Sequence, residues 1–347
     1  MLEFVRASVL EREPQIPRET IIDWDRLMDI SSKQGLLAWV WDGICKLPIE
    51  QQPPRLQRIN WGLSAQEIYN GYDRQEKVLK EMIDICNLNG LKLLVFKGFS
   101  LCNLYPKPEF RPSGDIDIYL FGEYDKGNEL FGVGEMVDNE KRSEFEYKGV
   151  KIENHRYFFP LFFKKYVAID RYLKSAAHNS SVKSKEGYFV FSNSGNLVIN
   201  VVHAITHIAN TKDPLTIRSL LDIGMLLYRN PSELSPERCR EIMDELKITH
   251  SFDLIVRICE WITGIDFSKY YIDNIPLSDI RSFKSQLENV CLHNGKGAEG
   301  SIKQYRERFQ RMKWSIPYRV QTKREWFCRQ FFKQLKILMG VLVKRKH

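Results

Sequence analysis

Apolar residues recur every three or four positions over most of the chain, and this helical period marks an N-terminal and a C-terminal region. Helices are predicted at 20–47 as a packed pair, 64–88, 121–137 with a loop, 196–210, 216–228, 235–246 and 252–263. Between the two regions, strand-like runs are found at 91–96, 115–120, 144–147, 150–159 and 188–191. The pattern predicts an α+β fold in which a small mixed sheet is flanked by N- and C-terminal helical regions.

Glycine and polar stretches divide this pattern into parts. Asn89-Gly90 ends the long N-terminal helix in the manner of a glycine C-cap, and the polar stretch 183–194 precedes the return to helical spacing. We therefore predict four parts, which are a helical lead-in at 1–90, an α/β core at 91–192, a helical domain at 193–300 and a basic amphipathic tail at 301–347.

The strand that begins at Asp115 carries two acids on one face. Successive side chains of a strand point to opposite faces, so Asp115 and Asp117 share a face while Ile116 and Ile118 enter the core. Their Cα atoms then lie about 6.6 Å apart, which suits two carboxylates that share divalent ions. Two like charges at this spacing require a counter-charge from a cation or a basic side chain. For an isolated Asp-Ile-Asp, an exposed edge strand with one polar face is the alternative.

The stretch before this strand has the composition of a phosphate-binding turn. The apolar run 91–96 ends at Lys97-Gly98, and a short helix is predicted at 99–104 with Ser100 in its first turn. A glycine lets a ligand approach the backbone, and a helix N-terminus offers unpaired N–H groups to a phosphate. A phosphate site that faces a carboxylate pair is typical of metal-assisted phosphoryl or nucleotidyl transfer.

This order of elements resembles the nucleotidyltransferase superfamily typified by DNA polymerase beta. The closer resemblance is to bacterial nucleotidyltransferases that are often encoded among surface-polysaccharide genes, whose pattern runs LKG, then LY, then RxxxDID. The matching residues of this chain are Phe96-Lys97-Gly98, Leu104-Tyr105, Arg111 and Asp115-Ile116-Asp117. The chain departs from the wider superfamily because Phe99 follows the glycine, Ser100 comes one place late and the gap before the acids is longer.

The resemblance implies a nucleotidyltransferase core that uses Mg²⁺ or Mn²⁺ and a nucleoside triphosphate. Asp115 and Asp117 would bind the metal, and Glu153 would be the third carboxylate, either as a ligand or as a base for the acceptor hydroxyl. Lys97, Gly98, Ser100 and His155 are expected to contact the phosphates, and Arg111 to neutralise charge or to brace the loop that carries the acids. His203, His207 and Arg218 are expected either to face the nucleotide or to support the residues that do. Asp222 also matches the closer family.

Each of these expectations has a structural alternative. Glu153 also fits the wet face of a hairpin, and His155 also fits an ordinary surface histidine. His203 and His207 are spaced i and i+4 on one helix face, where a core or interface pair is favoured over a zinc site because no third ligand is evident. From 157 to 174 aromatic and basic residues interleave, which favours a sheet edge with core over a surface that stacks bases. No specific nucleic-acid partner is predicted.

Charge is concentrated at the C-terminal end. The net charge is +8, but residues 302–347 contain fourteen Lys or Arg and two acids, so the rest of the chain is acidic overall. A basic amphipathic segment with aromatic residues is typical of binding to an anionic membrane surface or polymer, and docking on the body of the protein is the alternative.

The remaining composition indicates a globular chain in a reducing compartment. Of its 347 residues 43% are hydrophobic, and no apolar run approaches the roughly 18 residues that a membrane helix needs. The N-terminus lacks the pattern of an export signal. The seven cysteines are scattered and never spaced C-x-x-C, which favours reduced packing residues. We expect a cytoplasmic protein that is peripheral at the inner face of the membrane if the tail binds lipid.

These patterns favour a metal-dependent nucleotidyltransferase that moves a nucleoside monophosphate from an NTP to an acceptor hydroxyl. If the gene context of the closer family applies, the acceptor is a sugar or polysaccharide precursor. Two alternatives stay open, one a related enzyme that modifies a protein or antibiotic hydroxyl, the other a non-catalytic binding module of the same fold that the basic tail recruits to a membrane or polymer.

Overall fold

The computed structural model describes residues 1–133, 141–161, 164–179, 187–208, 215–272, 274–292 and 318, with the side chains of 286 and 288–292 excepted. The helices are α1 (Leu2–Val9), α2 (Trp24–Lys33), α3 (Leu37–Cys45), α4 (Arg55–Leu88), α5 (Tyr124–Leu130), α6 (Lys164–His178), α7 (Asn193–His207), α8 (Ile217–Arg229), α9 (Pro236–Glu245), α10 (Thr249–Thr263) and α11 (Leu277–Leu292). The strands are β1 (Leu94–Phe96), β2 (Asp115–Tyr119), β3 (Arg142–Tyr147), β4 (Val150–His155) and β5 (Phe189–Val190). The predicted α+β fold is confirmed.

The five strands form one mixed sheet in the order β3-β4-β2-β1-β5. The pairs β1·β2 and β3·β4 are antiparallel, whereas β2·β4 and β1·β5 are parallel. The predicted hairpin is β3 and β4, which turn at Lys148-Gly149, where both residues have positive φ angles of 48° and 77°. The parallel pairing of β2 with β4 matters most for the site, because it places Asp117 opposite Glu153.

The two faces of the sheet pack against different layers. Alternate residues of β1, β2 and β4, among them Val95, Ile116 and Ile152, pack on the C-terminal half of α4. The opposite face, which includes Leu94, Phe96 and Tyr119, belongs to the large core that the remaining helices build. The acids of β2 alternate with Ile116 and Ile118, so they point into the second face, beneath the helices.

The N-terminal and C-terminal helices share this large core. Phe4 of α1 and Trp39 of α3 belong to the same buried cluster as Ile258 of α10. Polar contacts also join these helices, since Arg6 donates to the carbonyl groups of Trp261 and Ile262 in the last turn of α10. The division into four parts stays a prediction. The helices that precede the sheet in the chain pack on the helices that follow it.

Three local predictions differ from the structure. The helix α4 begins at Arg55, nine residues before the predicted start, because Pro54 directly precedes it and no break follows. The short helix α1 was not predicted. Residues 157–174 were expected to be a sheet edge, but β4 ends at His155 and Lys164–His178 forms α6, whose buried stripe includes Tyr166 and Leu173.

The predicted tail at 301–347 lies outside the described residues, except for Tyr318. The Tyr318 ring stacks on His250, and its carbonyl accepts a hydrogen bond from the Ser251 hydroxyl. None of the described helices is both long and apolar enough to span a bilayer. Among the described cysteines, those at 86, 102, 239 and 259 are buried free thiols, whereas Cys45 is an exposed free thiol.

Candidate active site

The centre of the site is a pair of carboxylates on neighbouring parallel strands. Asp117 of β2 is in register with Glu153 of β4, and His155 lies two residues further along β4 on the same face. One ligand atom from each of these three residues lies within 4.8 Å of the others. Asp117 and Glu153 are only 5% and 4% exposed, because helices cover this face of the sheet. The alternation of residues along the strand predicts that Glu153 and His155 share a face, but it does not predict that this face is buried.

Asp115 lies at the rim of this cluster. It is in register with Lys151 and is less buried than Asp117. Burial raises the pKa of Asp115 to about 6, with further contributions from the negative charges of Asp117 and Glu153. The carboxylates are therefore close enough to interact strongly, and a bound cation would lower the free energy of the ionised site.

Basic side chains supply the counter-charge that the sequence predicts. The Lys97 ammonium lies 2.8 Å from Oδ1 of Asp117, and Nε2 of His155 lies 2.8 Å from the same oxygen. Glu153 is paired with the Arg142 guanidinium at 3.1 Å and with Lys151 at 3.5 Å. Each buried carboxylate thus has cationic or hydrogen-bonding partners, as a buried charge requires.

These pairs decide the protonation of the two buried acids. Burial alone would raise the pKa of Asp117, but the Lys97 charge and the His155 hydrogen bond outweigh burial and hold the pKa well below its usual value. Burial also raises the pKa of Glu153, but the hydrogen bond from His155 and the charge of Arg142 lower this pKa overall. Both carboxylates are therefore ionised at neutral pH, which metal ligation requires.

The turn after β1 holds Lys97 in a strained conformation. Lys97 has φ 54° and ψ −145°, a region that residues with a side chain seldom adopt. The following segment Gly98–Leu104 is a 3₁₀ helix of seven residues, and the Ser100 hydroxyl donates to the Lys97 carbonyl. A Cβ atom on Gly98 would lie 2.6 Å from Oγ of Ser113, so glycine allows this turn to approach the loop before β2.

Helix α7 brings two histidines toward the same cluster. The ring centroids of His203 and His207 are 4.3 Å apart. Burial lowers the pKa of His203 well below its usual value, and the positive charges of His207 and Lys97 lower it further. Among the described residues these two histidines are not part of a group that could hold a metal ion, whereas His155 is.

Of the predicted arginines, Arg111 belongs to the acid loop (residues 111–114), which leads into β2, and Arg218 of α8 contacts this loop. Arg111 is 3% exposed and forms an ion pair with Asp222 of α8 at 2.7 Å. Arg218 donates through Nη1 to the carbonyl of Pro112 at 2.7 Å, and its Nε atom has no hydrogen-bond partner among the described residues. That nitrogen is buried, and the Arg218 side chain packs against Gly35, so a substrate group does not reach it.

Three basic residues of the site were missed from the sequence, namely Lys141, Arg142 and Lys151. Burial lowers the pKa of Lys141 to about 7, and the charges of Lys97 and Arg142 add to this effect. A signal for them was present, because the hairpin that turns at Lys148-Gly149 pairs Arg142 with His155. Once one arm is assigned to the site, the register places the other arm beside it.

A mixed sheet whose β2 and β4 bring ionised carboxylates together, next to a glycine-bearing turn with a lysine, is the arrangement of a nucleotidyltransferase. Comparison with family models agrees with this class. The chain belongs to the family described as "Uncharacterised nucleotidyltransferase", whose model matches residues 20–264. Comparison with the curated proteins and with the solved structures found no match. The match confirms that the protein is a nucleotidyltransferase.

Proposed function

We propose that the protein transfers a nucleoside monophosphate from an NTP to an acceptor hydroxyl in a reaction that depends on a divalent cation, with release of pyrophosphate. The observation that carries this proposal is the pairing of Asp117 with Glu153 across parallel strands, with Asp115 at the rim. Two facing carboxylates and a third close by are the ligand set of enzymes that act on phosphates through divalent ions.

The donor chemistry of the cluster fits such an ion. Asp117 and Glu153 provide ionised oxygen donors, which suit Mg²⁺ and Mn²⁺, and Nε2 of His155 faces both carboxylates at 2.8 and 3.4 Å. The other ring nitrogen of His155 lies 3.3 Å from the Tyr157 carbonyl, a contact that fixes the ring. When bound by Asp115, Asp117 and Glu153, the cation would neutralise phosphate charge and lower the pKa of the acceptor hydroxyl.

Glu153 fits the role of ligand better than the role of base. Its pKa is held below its usual value, because the His155 hydrogen bond and the Arg142 charge outweigh burial and the charge of Asp117. A carboxylate with a lowered pKa is a weak proton acceptor. We therefore assign Glu153 to binding the cation.

The triphosphate would bind to the basic side chains around this cluster. Lys97, Lys141 and His203 influence one another electrostatically, and mutual repulsion contributes to the lowered pKa values of Lys141 and His203. A bound polyanion reverses this repulsion, because opposite charge favours the protonated form of each group. We assign these three residues to the triphosphate. Arg218, whose Nη1 donates to the Pro112 carbonyl, is assigned to the support of the loop before β2.

The acceptor is proposed to be a hydroxyl group of a sugar or polysaccharide precursor. The support for this class is the sequence resemblance alone. The nucleobase is identified by supplying each of the four NTPs in turn.

Product analysis by mass spectrometry tests the proposed reaction. The wild-type protein is incubated with Mg²⁺ or Mn²⁺, each of the four NTPs in turn and a panel of sugar and sugar-phosphate acceptors. We expect pyrophosphate and an acceptor whose mass increases by one nucleotidyl group, that is, a nucleoside monophosphate less one water, and we expect neither with Asp117→Asn. Release of inorganic phosphate without nucleotidyl transfer, or equal product from Asp117→Asn, would contradict the proposal.

A further inference from the structure

The loop of residues 111–114, which leads into β2, is anchored to helix α8 by a buried ion pair. Arg111 donates through Nε to Oδ1 of Asp222 at 2.9 Å and through Nη2 to Oδ2 at 2.7 Å. The Tyr105 hydroxyl donates to the same Oδ1 at 2.7 Å. Arg111 and Asp222 are 3% and 2% exposed, so this bidentate pair is shielded from water.

Neighbouring helices hold the rest of the loop. Arg218 of α8 donates to the Pro112 carbonyl at 2.7 Å, and Gln75 of α4 donates through Nε2 to the Ser113 carbonyl at 3.1 Å. The Ser113 hydroxyl donates to the backbone carbonyl of Asp115 at 2.8 Å. The backbone that carries the first acid is therefore fixed from both layers of the fold.

The geometry leaves Arg111 little capacity for a phosphate. Two of its guanidinium nitrogens bind Asp222, and the third, Nη1, lies 3.4 Å from the Pro112 carbonyl. The negative charge of Asp222 also raises the pKa of Arg111 against the effect of burial. Arg111 is thus paired within the protein, whereas Arg218 keeps a donor without a partner among the described residues.

Stability alone is a weak explanation for this pair. Well-packed apolar residues of similar volume commonly replace a buried ion pair without loss of stability, because desolvation offsets the attraction between the charges. A bidentate pair differs from apolar packing in that it fixes direction, since its two parallel hydrogen bonds orient the guanidinium. Arg111 lies only four residues before Asp115 in the chain.

We infer that Asp222 of α8 is a positioning residue that acts through Arg111 to fix the acid loop, and with it Asp115, relative to Asp117 and Glu153. This inference rests on the proposed function for its effect on metal and substrate. It gives both arginines predicted from the sequence a place in the support of this loop, Arg111 through Asp222 and Arg218 through the Pro112 carbonyl. It also links α8 to the acids of β2 through the loop.

Four variants separate positioning from stability. Asp222→Asn removes the charge and keeps the shape, and Arg111→Lys keeps the charge but loses the bidentate geometry. The double variant Arg111→Met with Asp222→Leu replaces the whole pair by apolar side chains. The control is Asp253→Asn, which breaks another ion pair of a buried acid, with Arg240 at 3.1 Å, on helices that do not carry the loop. Arg111→Lys provides the same test if Asp222→Asn does not fold.

Three readouts are used, which are the affinity for Mn²⁺ by calorimetry, steady-state kinetics with the best NTP, and hydrogen exchange of the peptide that covers 111–117. For Asp222→Asn we expect an affinity for Mn²⁺ that is about 10- to 100-fold weaker, a lowered kcat with a nearly unchanged KM for NTP, and faster exchange of the loop. The double variant should regain stability but not affinity, and Asp253→Asn should change stability alone.

Two results would overturn the inference. The first is a folded Asp222→Asn whose loop exchanges at the wild-type rate, and the second is a double variant that regains wild-type affinity for Mn²⁺ and wild-type kcat. Failure of the proposed function is distinguishable from these results. If the wild-type protein binds neither Mn²⁺ nor NTP, the proposed function fails, and the exchange rate of the loop still decides whether Asp222 positions it.

Discussion

At the scale of single residues, the site consists of acids brought together by the sheet and of bases that compensate for them. Asp117 and Glu153 are buried, and they are ionised because Lys97, His155 and Arg142 contact them. Asp115 has weaker compensation, and burial together with the two neighbouring acids raises its pKa. Without a cation the site therefore lowers stability near neutral pH, a trade-off that is common where function requires like charges to lie close together.

The raised pKa of Asp115 leads to a prediction about stability and pH. Its pKa is raised from 3.8 to about 6 in the folded state, so its contribution to stability is full below pH 3.8 and is lost as pH rises through about 6. Asp115→Asn should therefore make the metal-free protein about 1–3 kcal/mol more stable at pH 7.5, with the gain vanishing near pH 4. Urea denaturation across this pH range measures the difference.

The control for this prediction is Asp73→Asn on the exposed face of α4, for which we expect no such pH dependence. Addition of Mg²⁺ should raise the stability of the wild-type protein more than that of Asp115→Asn, because the wild-type protein offers the cation one more negatively charged ligand. A gain in stability from Asp115→Asn that is equal at pH 4 and pH 7.5 would contradict the account.

The glycine of the turn leads to a second prediction at this scale. A Cβ atom at position 98 would lie 2.6 Å from Oγ of Ser113, whose hydroxyl donates to the Asp115 carbonyl. Gly98→Ala should destabilise the protein by about 1–3 kcal/mol and lower activity, because the serine must move away from the acid strand. Adding Ser113→Ala removes the clashing oxygen and should restore part of the stability. Thermal unfolding of both variants tests this, and wild-type stability in Gly98→Ala would contradict it.

At the scale of elements, the sequence predicts the strands and most helices because their periods are strong, but it predicts the site only in part. The acid pair and its counter-charge follow from spacing within one strand, and Lys148-Gly149, between two strand-like runs, predicts the hairpin. The missed residues Lys141 and Arg142 reach the site through cross-strand register, which links distant parts of the chain. The stretch 157–174 was misassigned because aromatic residues suit both a strand and the buried stripe of α6.

The close packing of α1 on α3 gives a prediction at this scale. A Cβ atom on Gly43 would lie 2.6 Å from the Phe4 carbonyl oxygen and 2.8 Å from its Cα, and backbone atoms cannot rotate away. Gly43→Ala should therefore push the helices apart and cost roughly 1–3 kcal/mol. Gly71→Ala, in α4 where no atom lies within 4 Å, is the matched control and should stabilise by about 0.5–1 kcal/mol. Equal effects of the two variants in urea denaturation would refute this packing.

At the scale of the whole molecule, the helical layers on both sides of the sheet converge on the acid strand. Helix α4 supports one face and holds the loop through Gln75, while α8 holds it through Asp222 and Arg218. The large core joins α1 and α3 to α10, so the helices around the site are continuous with the rest of the protein. The chemistry of β2 therefore depends on elements from both ends of the chain.

The charge distribution gives a prediction for the C-terminal tail. Residues 319–347 contain nine Lys or Arg and one acid, which equals the entire net charge of +8. A chain truncated after Tyr318 keeps the contacts of that residue with Ser251 and Asp279 and loses this charge. We expect truncation to weaken binding to vesicles that contain anionic lipid at low salt, because this positive charge is removed. Undiminished vesicle sedimentation by the truncated chain would reject a role in lipid binding.

The central claim is that Asp117, facing Glu153, forms a cation-dependent site for a nucleoside triphosphate. The most direct measurement is calorimetry with a non-hydrolysable NTP analogue, with and without Mg²⁺, on the wild-type protein and on Asp117→Asn. We predict that the wild-type protein binds the analogue at least tenfold more tightly with Mg²⁺ and that Asp117→Asn loses this gain while remaining folded. Tight binding that neither Mg²⁺ nor the substitution changes would contradict the account.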